Sequence, residues 1–135
     1  MELSSCQFKA LEHVAEKSGL DLILLFGSAA RGITHAKSDL DIAVRYRRFS
    51  TEERIDQLMG DLQSVFPGAQ VDLGILNTAD PLFLKKIMED ARLLYGDPRR
   101  LAELEILAFK RYLDHRPYLR MEEDYVRRRL AQTSP

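Results

Sequence analysis

Asp39 and Asp41, two aspartates separated by one leucine, follow a glycine–serine pair at 27–28 with ten residues between. Residues two apart in a β-strand face the same way, roughly 6.5 to 7 Å apart along the chain, so both carboxylates would point to one place. Two like charges held side by side are costly unless a cation neutralises them. Oxygen ligands beside a phosphate suit Mg²⁺, so the spacing predicts a site for magnesium and a phosphorylated ligand.

The glycine–serine pair supplies the groups that a phosphate needs. Gly27 would let phosphates approach the backbone closely, and Ser28 adds a hydroxyl donor at a turn whose N–H groups can point at an anion. Ser28 could also simply cap a helical turn. Arg31 could reach a phosphate or pair with a surface carboxylate. We therefore expect a triphosphate to lie between this turn and the two aspartates.

Asp72 is the third candidate carboxylate. It lies within Val71–Leu76, which has the composition of a strand, and three carboxylates converge if that strand neighbours the one carrying Asp39 and Asp41. Three such groups can hold two metal ions about 3.5 to 4 Å apart, and Asp72 would then be best placed to accept the proton of an attacking hydroxyl. The alternative is a solvated strand face, although aspartate is disfavoured in strands.

The elements that position these residues follow from hydrophobic periodicity and from helix start and stop signals. The first half of the chain predicts a helix over 5–18, a buried strand over 20–26, a helical turn over 29–32 and a strand over 39–44. A polar loop reaching residue 38 carries His35 and Lys37, each of which is either solvated or part of the site. A capping-box pattern at 50–53 predicts a helix running to residue 66.

The second half of the chain is predicted to be mostly helical after a third strand over 71–76. Asp80-Pro81 predicts a helix to about Tyr95, and Asp97-Pro98 predicts another to about His115. Pro117 is expected to divide that helix from a last one ending in a frayed, arginine-rich tail at 127–129. The pattern predicts one domain of α/β type over 1–135, with a core at about 20–78 and a C-terminal helical region at about 81–131.

Composition limits the function classes. The chain has 135 residues, 45% of them hydrophobic, which is enough to bury one core. Lys+Arg number 20 and Asp+Glu 21, so nothing in the overall charge supports direct binding to nucleic acid. A lone cysteine fits a reducing compartment, and no signal sequence or membrane-spanning run is evident. These features predict a cytoplasmic location and no membrane contact.

The pattern of Gly27, Ser28, Asp39, Asp41 and Asp72, with Arg31-Gly32, resembles the signature of the DNA polymerase β-type nucleotidyltransferases. Within that superfamily it is most similar to the minimal MNT-type antitoxins, which are encoded beside HEPN-type ribonuclease toxins. The resemblance covers about residues 22–76.

The resemblance implies a small mixed sheet flanked by helices, with C-terminal helices. It also implies Mg²⁺ bound by the three aspartates, ATP bound by the glycine–serine turn and Arg31, and transfer of AMP onto a tyrosine hydroxyl of the cognate toxin. That transfer would silence the toxin's RNase activity.

Three other functions fit part of the sequence. A small-molecule adenylyltransferase of the aminoglycoside type would share the chemistry, but such enzymes usually carry a further helical domain. A non-catalytic antitoxin would mask its partner sterically. A processive polymerase needs more domains than this length allows. Three C-terminal tyrosines, Tyr112, Tyr118 and Tyr125, could line a partner surface or pack on the sheet.

Overall fold

The computed structural model describes residues 2–32 and 39–133, so His35 and Lys37 lie outside the described residues. The helices and strands follow in the order α1 (Ser5–Ser18), β1 (Leu20–Phe26), α2 (Gly27–Ala30), β2 (Asp39–Tyr46), α3 (Ile55–Val65), β3 (Gln70–Ile75), α4 (Pro81–Asp90), β4 (Arg92–Gly96) and α5 (Pro98–Thr133). A single 3₁₀ turn, Leu76–Thr78, lies between β3 and α4.

The four strands form one mixed sheet in the order β3-β2-β1-β4. The central strand β1 runs antiparallel to both β2 and β4, whereas β2 and β3 run parallel. Helices flank the sheet, and the small mixed sheet that the resemblance implied is therefore confirmed.

Strand β1 is buried on both faces, which explains why its sequence is a continuous apolar run. Ile23 and Leu25 point into a core closed by α1 and α3. Leu22 and Leu24 point into a second core closed by α4 and the first turns of α5. The sheet therefore has a helical layer on each side, and the ends of its strands are the places where polar side chains can collect.

One buried carboxylate ties the far end of β1 to two other elements. Asp21, which is 9% exposed, accepts hydrogen bonds from Arg45 Nε (2.9 Å) and Nη2 (3.1 Å). It also accepts one from Arg100 Nη1 at 3.2 Å. These charge-assisted bonds join β1, β2 and the start of α5.

Several predicted helix ends are confirmed. Ser4 caps α1 through a capping box with Gln7, and Gly19 ends it in the left-handed conformation with φ 73°. Asp80 caps α4 by accepting a hydrogen bond from the Phe83 N–H at 2.9 Å, and Pro81 occupies the first turn.

The prediction of a helix starting at the 50–53 capping box is wrong. Ser50 Oγ accepts a hydrogen bond from the Glu52 N–H at 3.2 Å, which closes a turn, and α3 begins only at Ile55. Ser and Thr hydroxyls form such local turns as readily as they cap helices.

The prediction of a helix to Tyr95 is also wrong, because α4 ends at Asp90 and β4 pairs with β1 from Arg92 to Gly96. The region 81–131 is therefore not wholly helical. The pairing available on the open edge of β1 overrides the local helical pattern, as tertiary contacts commonly do.

The expected break at Pro117 is absent, since α5 continues through it to Thr133 as a helix of 36 residues, about 54 Å long. A proline removes one backbone hydrogen bond, and the flanking Arg, Glu, Leu and Met residues favour helix. Only the first part of α5 is packed, with Leu104 and Ala108 buried. Tyr118 and Tyr125 are 63% and 60% exposed, so the alternative in which they pack on the sheet is wrong.

Across the described ranges 2–32 and 39–133, none of the helices has the length and apolar content that crossing a bilayer would require.

Candidate active site

Three strand ends meet at one edge of the sheet and bring the predicted residues together. Phe26, at the end of β1, is the register partner of Asp41 on the antiparallel β2. Asp41 is in turn the register partner of Asp72 on the parallel β3. Neighbouring strands lie about 4.8 Å apart, so the Asp41 and Asp72 side chains are adjacent and point to the same face of the sheet.

Alternation along the strands puts these carboxylates on the open side. Leu40 and Ile42, which flank Asp41, are buried in the core beneath α1 and α3, and so is Val71. Asp41 is half-buried, whereas Asp72 is exposed on the edge strand. Asp41 therefore lies on the strand face that the alternation of the sequence predicted, away from the buried Leu40 and Ile42. Asp72 lies beside it on β3.

The charges of these carboxylates oppose one another. Burial raises the pKa of Asp41 above its ordinary value of 3.8, and the neighbouring charges of Asp72 and then Asp39 raise it further. The Lys86 ammonium acts in the opposite direction on that pKa. Among the described charges that act on Asp41, two carboxylates therefore oppose one ammonium, and such an excess of negative charge favours binding a cation.

Gly27 is held against the Asp41 carboxylate. Its φ is 73°, a conformation in which a side chain is strained. A Cβ built there would overlap Asp41 Oδ2 and stand 3.2 Å from Asp41 Cγ. The absence of a side chain at residue 27 is thus what lets the carboxylate lie over the β1–α2 turn.

A cleft of about 780 Å³ opens over this junction, a size common for small-ligand sites. One wall consists of Gly27, Ser28, Asp41 and Asp72 together with Leu73 and Gly74. The opposite wall is α4, whose residues at positions 82, 83, 86, 89 and 90 line the cleft. This spacing marks one face of a helix; the other face carries Leu84 and Ile87 into the core.

Arg31 lies in the same cleft but is engaged with a carboxylate. Its Nε is 3.7 Å from Asp90 Oδ2, and its side chain is 55% exposed. The structure thus shows the surface ion pair that the sequence left as one alternative, while keeping Arg31 among the lining residues.

The residues present match magnesium in donor type and charge. Within 2–32 and 39–133, no group of three His, Cys, Asp or Glu side chains is arranged as a metal-binding cluster. Asp39 is exposed at the start of β2, next to residues outside the description, and is not among the lining residues. Mg²⁺ is usually bound by one or two carboxylates plus substrate phosphates rather than by a protein cage, so the pair Asp41 and Asp72 fits the ion.

Sequence reasoning missed the α4 wall, including Lys86 and the exposed apolar side chains of Leu82 and Phe83. The Phe83 ring meets that of Phe26 edge-on, with centroids 6.1 Å apart. The sequence shows that α4 is amphipathic. It does not show that the face carrying Lys86 lines the cleft, because that depends on which face of the sheet the helix covers.

Comparisons with known proteins agree with this geometry. The family described as "Polymerase beta, Nucleotidyltransferase" matches residues 9–100, more than half of the chain. No curated protein shows a significant match.

Three solved structures of toxin–antitoxin systems share the fold. One, described with AMP-PNP, is 24% identical with a TM-score of 0.74, over 88% of this chain and 97% of the other. A structure of the MntA–HepT pair is 20% identical with a TM-score of 0.71, over 91% of this chain and 98% of the other. The MNT antitoxin in complex with a tri-AMPylated HEPN toxin from Shewanella oneidensis is 21% identical with a TM-score of 0.69, over 90% of this chain and 96% of the other. These TM-scores establish a common fold.

Proposed function

Because the chain belongs to the polymerase β-type nucleotidyltransferase family and is therefore a nucleotidyltransferase, we propose that it transfers AMP from ATP to a tyrosine hydroxyl of a HEPN-type RNase toxin and so acts as its antitoxin. The observation that carries the proposal is the pairing of Asp41 with Asp72 beside the Gly27 turn, in one wall of a cleft. The structural relatives support a HEPN toxin as the acceptor protein, since one of them is an antitoxin bound to an AMPylated HEPN toxin; the tyrosine is what the resemblance implies.

The binding roles follow the layout of the cleft. Gly27 and Ser28 would hold the triphosphate through backbone N–H groups and the hydroxyl. Asp41 and Asp72 would hold Mg²⁺ in the cleft, and Asp39, exposed at the start of β2, would join them as the resemblance implies; three carboxylates can hold two ions. Magnesium would supply neutralisation of phosphate charge and activation of the attacking oxygen.

The transfer itself exchanges one phosphorus–oxygen bond for another. The tyrosine oxygen attacks the α-phosphorus and forms a new O–P bond, while the bond from that phosphorus to the β-phosphate oxygen breaks and pyrophosphate leaves. The phenolic proton passes to the Asp72 carboxylate, which is exposed on the edge strand and so accessible to an incoming acceptor. Catalysis of this kind rests on positioning and charge stabilisation.

Helix α5 favours a protein acceptor over a small molecule. Ile106, Phe109 and Leu113 are 71%, 60% and 44% exposed and lie on one face of the helix by their i, i+3, i+7 spacing. That face is opposite the buried Leu104 and Ala108. A row of exposed large apolar side chains is typical of protein interaction surfaces.

Intact-mass analysis of the toxin tests the proposal. The toxin incubated with this chain, ATP and Mg²⁺ should gain mass in increments of AMP, and both Asp41→Asn and Asp72→Asn should remove the gain. Asp56→Asn, which removes an exposed carboxylate from the first turn of α3, is the matched control and should leave it unchanged. A toxin whose mass never changes would contradict the proposal.

A non-catalytic antitoxin is the second candidate, and the exposed face of α5 favours it. Under that alternative, the Asp39→Asn and Asp41→Asn double variant should still protect RNA from the toxin. Under the proposed function, the same variant should bind the toxin and leave its RNase activity intact. Binding and RNA cleavage measured on one sample separate the two.

A further inference from the structure

The cleft carries an excess of negative charge that an ATP molecule must overcome. Its described lining residues include five carboxylates against two cations; the carboxylates are Asp41, Asp72, Asp80, Glu89 and Asp90, and the cations are Arg31 and Lys86. A triphosphate is itself strongly anionic, so the position of each cation decides where the phosphates can lie.

The two cations are not equivalent. Arg31 is paired with Asp90 across 3.7 Å. With the other described residues, Lys86 forms no ion pair within 4 Å, although it belongs to the same cleft. Lys86 is thus the cation whose ammonium donors are available to a ligand in the described part of the cleft.

The placement of Lys86 is fixed by the packing of α4. Leu84 and Ile87 are fully buried in the core under the sheet, so the two lysines between them, Lys85 and Lys86, project away from that core. Of these two, Lys86 is the one that lines the cleft. Lys86 therefore lines the cleft from the α4 wall, and the carboxylates of Asp41 and Asp72 line the same cleft from the strands.

We propose that Lys86 binds the β- or γ-phosphate of the nucleotide and is the residue by which the cleft distinguishes ATP from AMP. The inference rests on the proposed function, because it takes ATP as the substrate of this cleft. A lysine acts on phosphate as a compact point charge with rotatable donors. In the other interpretation, Lys86 only neutralises the aspartates. Its loss should then weaken the binding of ATP and of AMP equally.

Lys85 is a matched control on the same helix. Its ammonium lies 2.9 Å from Glu89 Oε1 and 4.6 Å from the centre of the Tyr112 ring, so it is directed toward α5. Lys85→Gln and Lys86→Gln remove the same charge from adjacent residues. Any difference between them reflects the position of the charge rather than its loss.

Titration calorimetry with Mg²⁺ and either ATP or AMP provides the test. Lys86→Gln should weaken ATP binding about 10- to 100-fold, the range for one hydrogen bond to a charged group, and leave AMP binding within about twofold. Lys86→Arg should recover most of the ATP affinity, and Lys85→Gln should match the wild type. Unfolding curves of all four proteins verify that each is folded.

The outcomes separate the inference from the function beneath it. Wild-type affinity for ATP in Lys86→Gln overturns the inference alone. Equal losses for ATP and AMP overturn it too, because Lys86 would then shape or neutralise the cleft without reading the phosphate chain. A wild-type protein that binds neither nucleotide overturns the proposed function, and the inference with it.

Discussion

Replacing Gly27 with alanine should separate the stability of the fold from the chemistry of the site. Two effects act at this residue. The first is the backbone, because φ of 73° places a non-glycine residue in a region that costs roughly 1 to 2 kcal/mol. The second is the new Cβ, which would overlap Asp41 Oδ2 and force the carboxylate to rotate away.

Gly19 is the control for the first effect. It has the same φ of 73°, but a Cβ there meets nothing within 4 Å. Gly27→Ala and Gly19→Ala should therefore lower the free energy of unfolding by similar amounts, about 1 to 2 kcal/mol each. The extra cost at Gly27 should be small, because the overlapping atom is the end of a side chain that can turn.

The activities of the two variants should differ much more than their stabilities. Displacing a reacting group by about 1 Å can cost on the order of 100-fold in rate, so Gly27→Ala should lose about two orders of magnitude in AMP transfer. Gly19→Ala lies at the end of α1 and should keep the wild-type rate at a temperature where both variants are folded.

Urea unfolding and initial rates of AMP transfer to the toxin give the two quantities on the same preparations. The reasoning is refuted if Gly27→Ala transfers AMP as fast as Gly19→Ala, since Asp41 would then tolerate displacement. It is also refuted if Gly19→Ala causes no loss of stability, because the backbone cost would then be misassigned.

Three further predictions concern charge, burial and the long helix. The pKa of Asp41 is raised in the folded state, so between 3.8 and the raised pKa the folded protein keeps a proton that the unfolded chain has released. The free energy of unfolding of the metal-free protein should therefore fall as the pH rises through this range. Asp41→Asn removes this fall and should stabilise the metal-free protein at pH 8 by roughly 0.2 to 1 kcal/mol, because it removes the repulsion between like charges on neighbouring strands. Urea unfolding in the presence of a chelator measures the difference, and a variant less stable than the wild type would contradict the prediction. Asp21→Ala leaves two arginines without their buried partner and should cost about 3 to 5 kcal/mol, while AMP transfer per folded molecule stays the same because Asp21 lies about 17 Å along β1 from the cleft. Pro117→Ala should increase amide-hydrogen protection in the second half of α5 by up to about 3 kcal/mol, and unchanged exchange there would show that the proline does not limit the helix.

Much of the site could be predicted because it depends on local patterns. The alternation around Asp41 set the face of β2, and a glycine–serine pair at the end of an apolar run marked the turn. The adjacency of Asp72 was conditional on strand order, which the sequence does not specify. The close approach of the Asp41 carboxylate to Gly27 is a tertiary contact between residues fourteen apart, and no spacing rule predicts it.

The missed elements share a physical cause, which is competition between local and tertiary preferences. Residues 92–96 continue the apolar periodicity of α4, and only the free edge of β1 makes them a strand. Ser50 has the sequence of a helix cap but uses its hydroxyl in a turn. Lys86 could not be distinguished from Lys85 in the sequence, because the choice depends on which side of α4 meets the sheet.

The position of β1 in the sheet has a consequence for any shortened form of the protein. Leu22–Phe26 is an uncharged, strongly apolar segment, and one of its two edges is covered only by β4. Removing residues 91–135 would uncover a row of backbone donors and acceptors on a segment of the kind that joins other chains into aggregates. A fragment that keeps every proposed catalytic residue should therefore precipitate, because the last strand shields the first from intermolecular pairing.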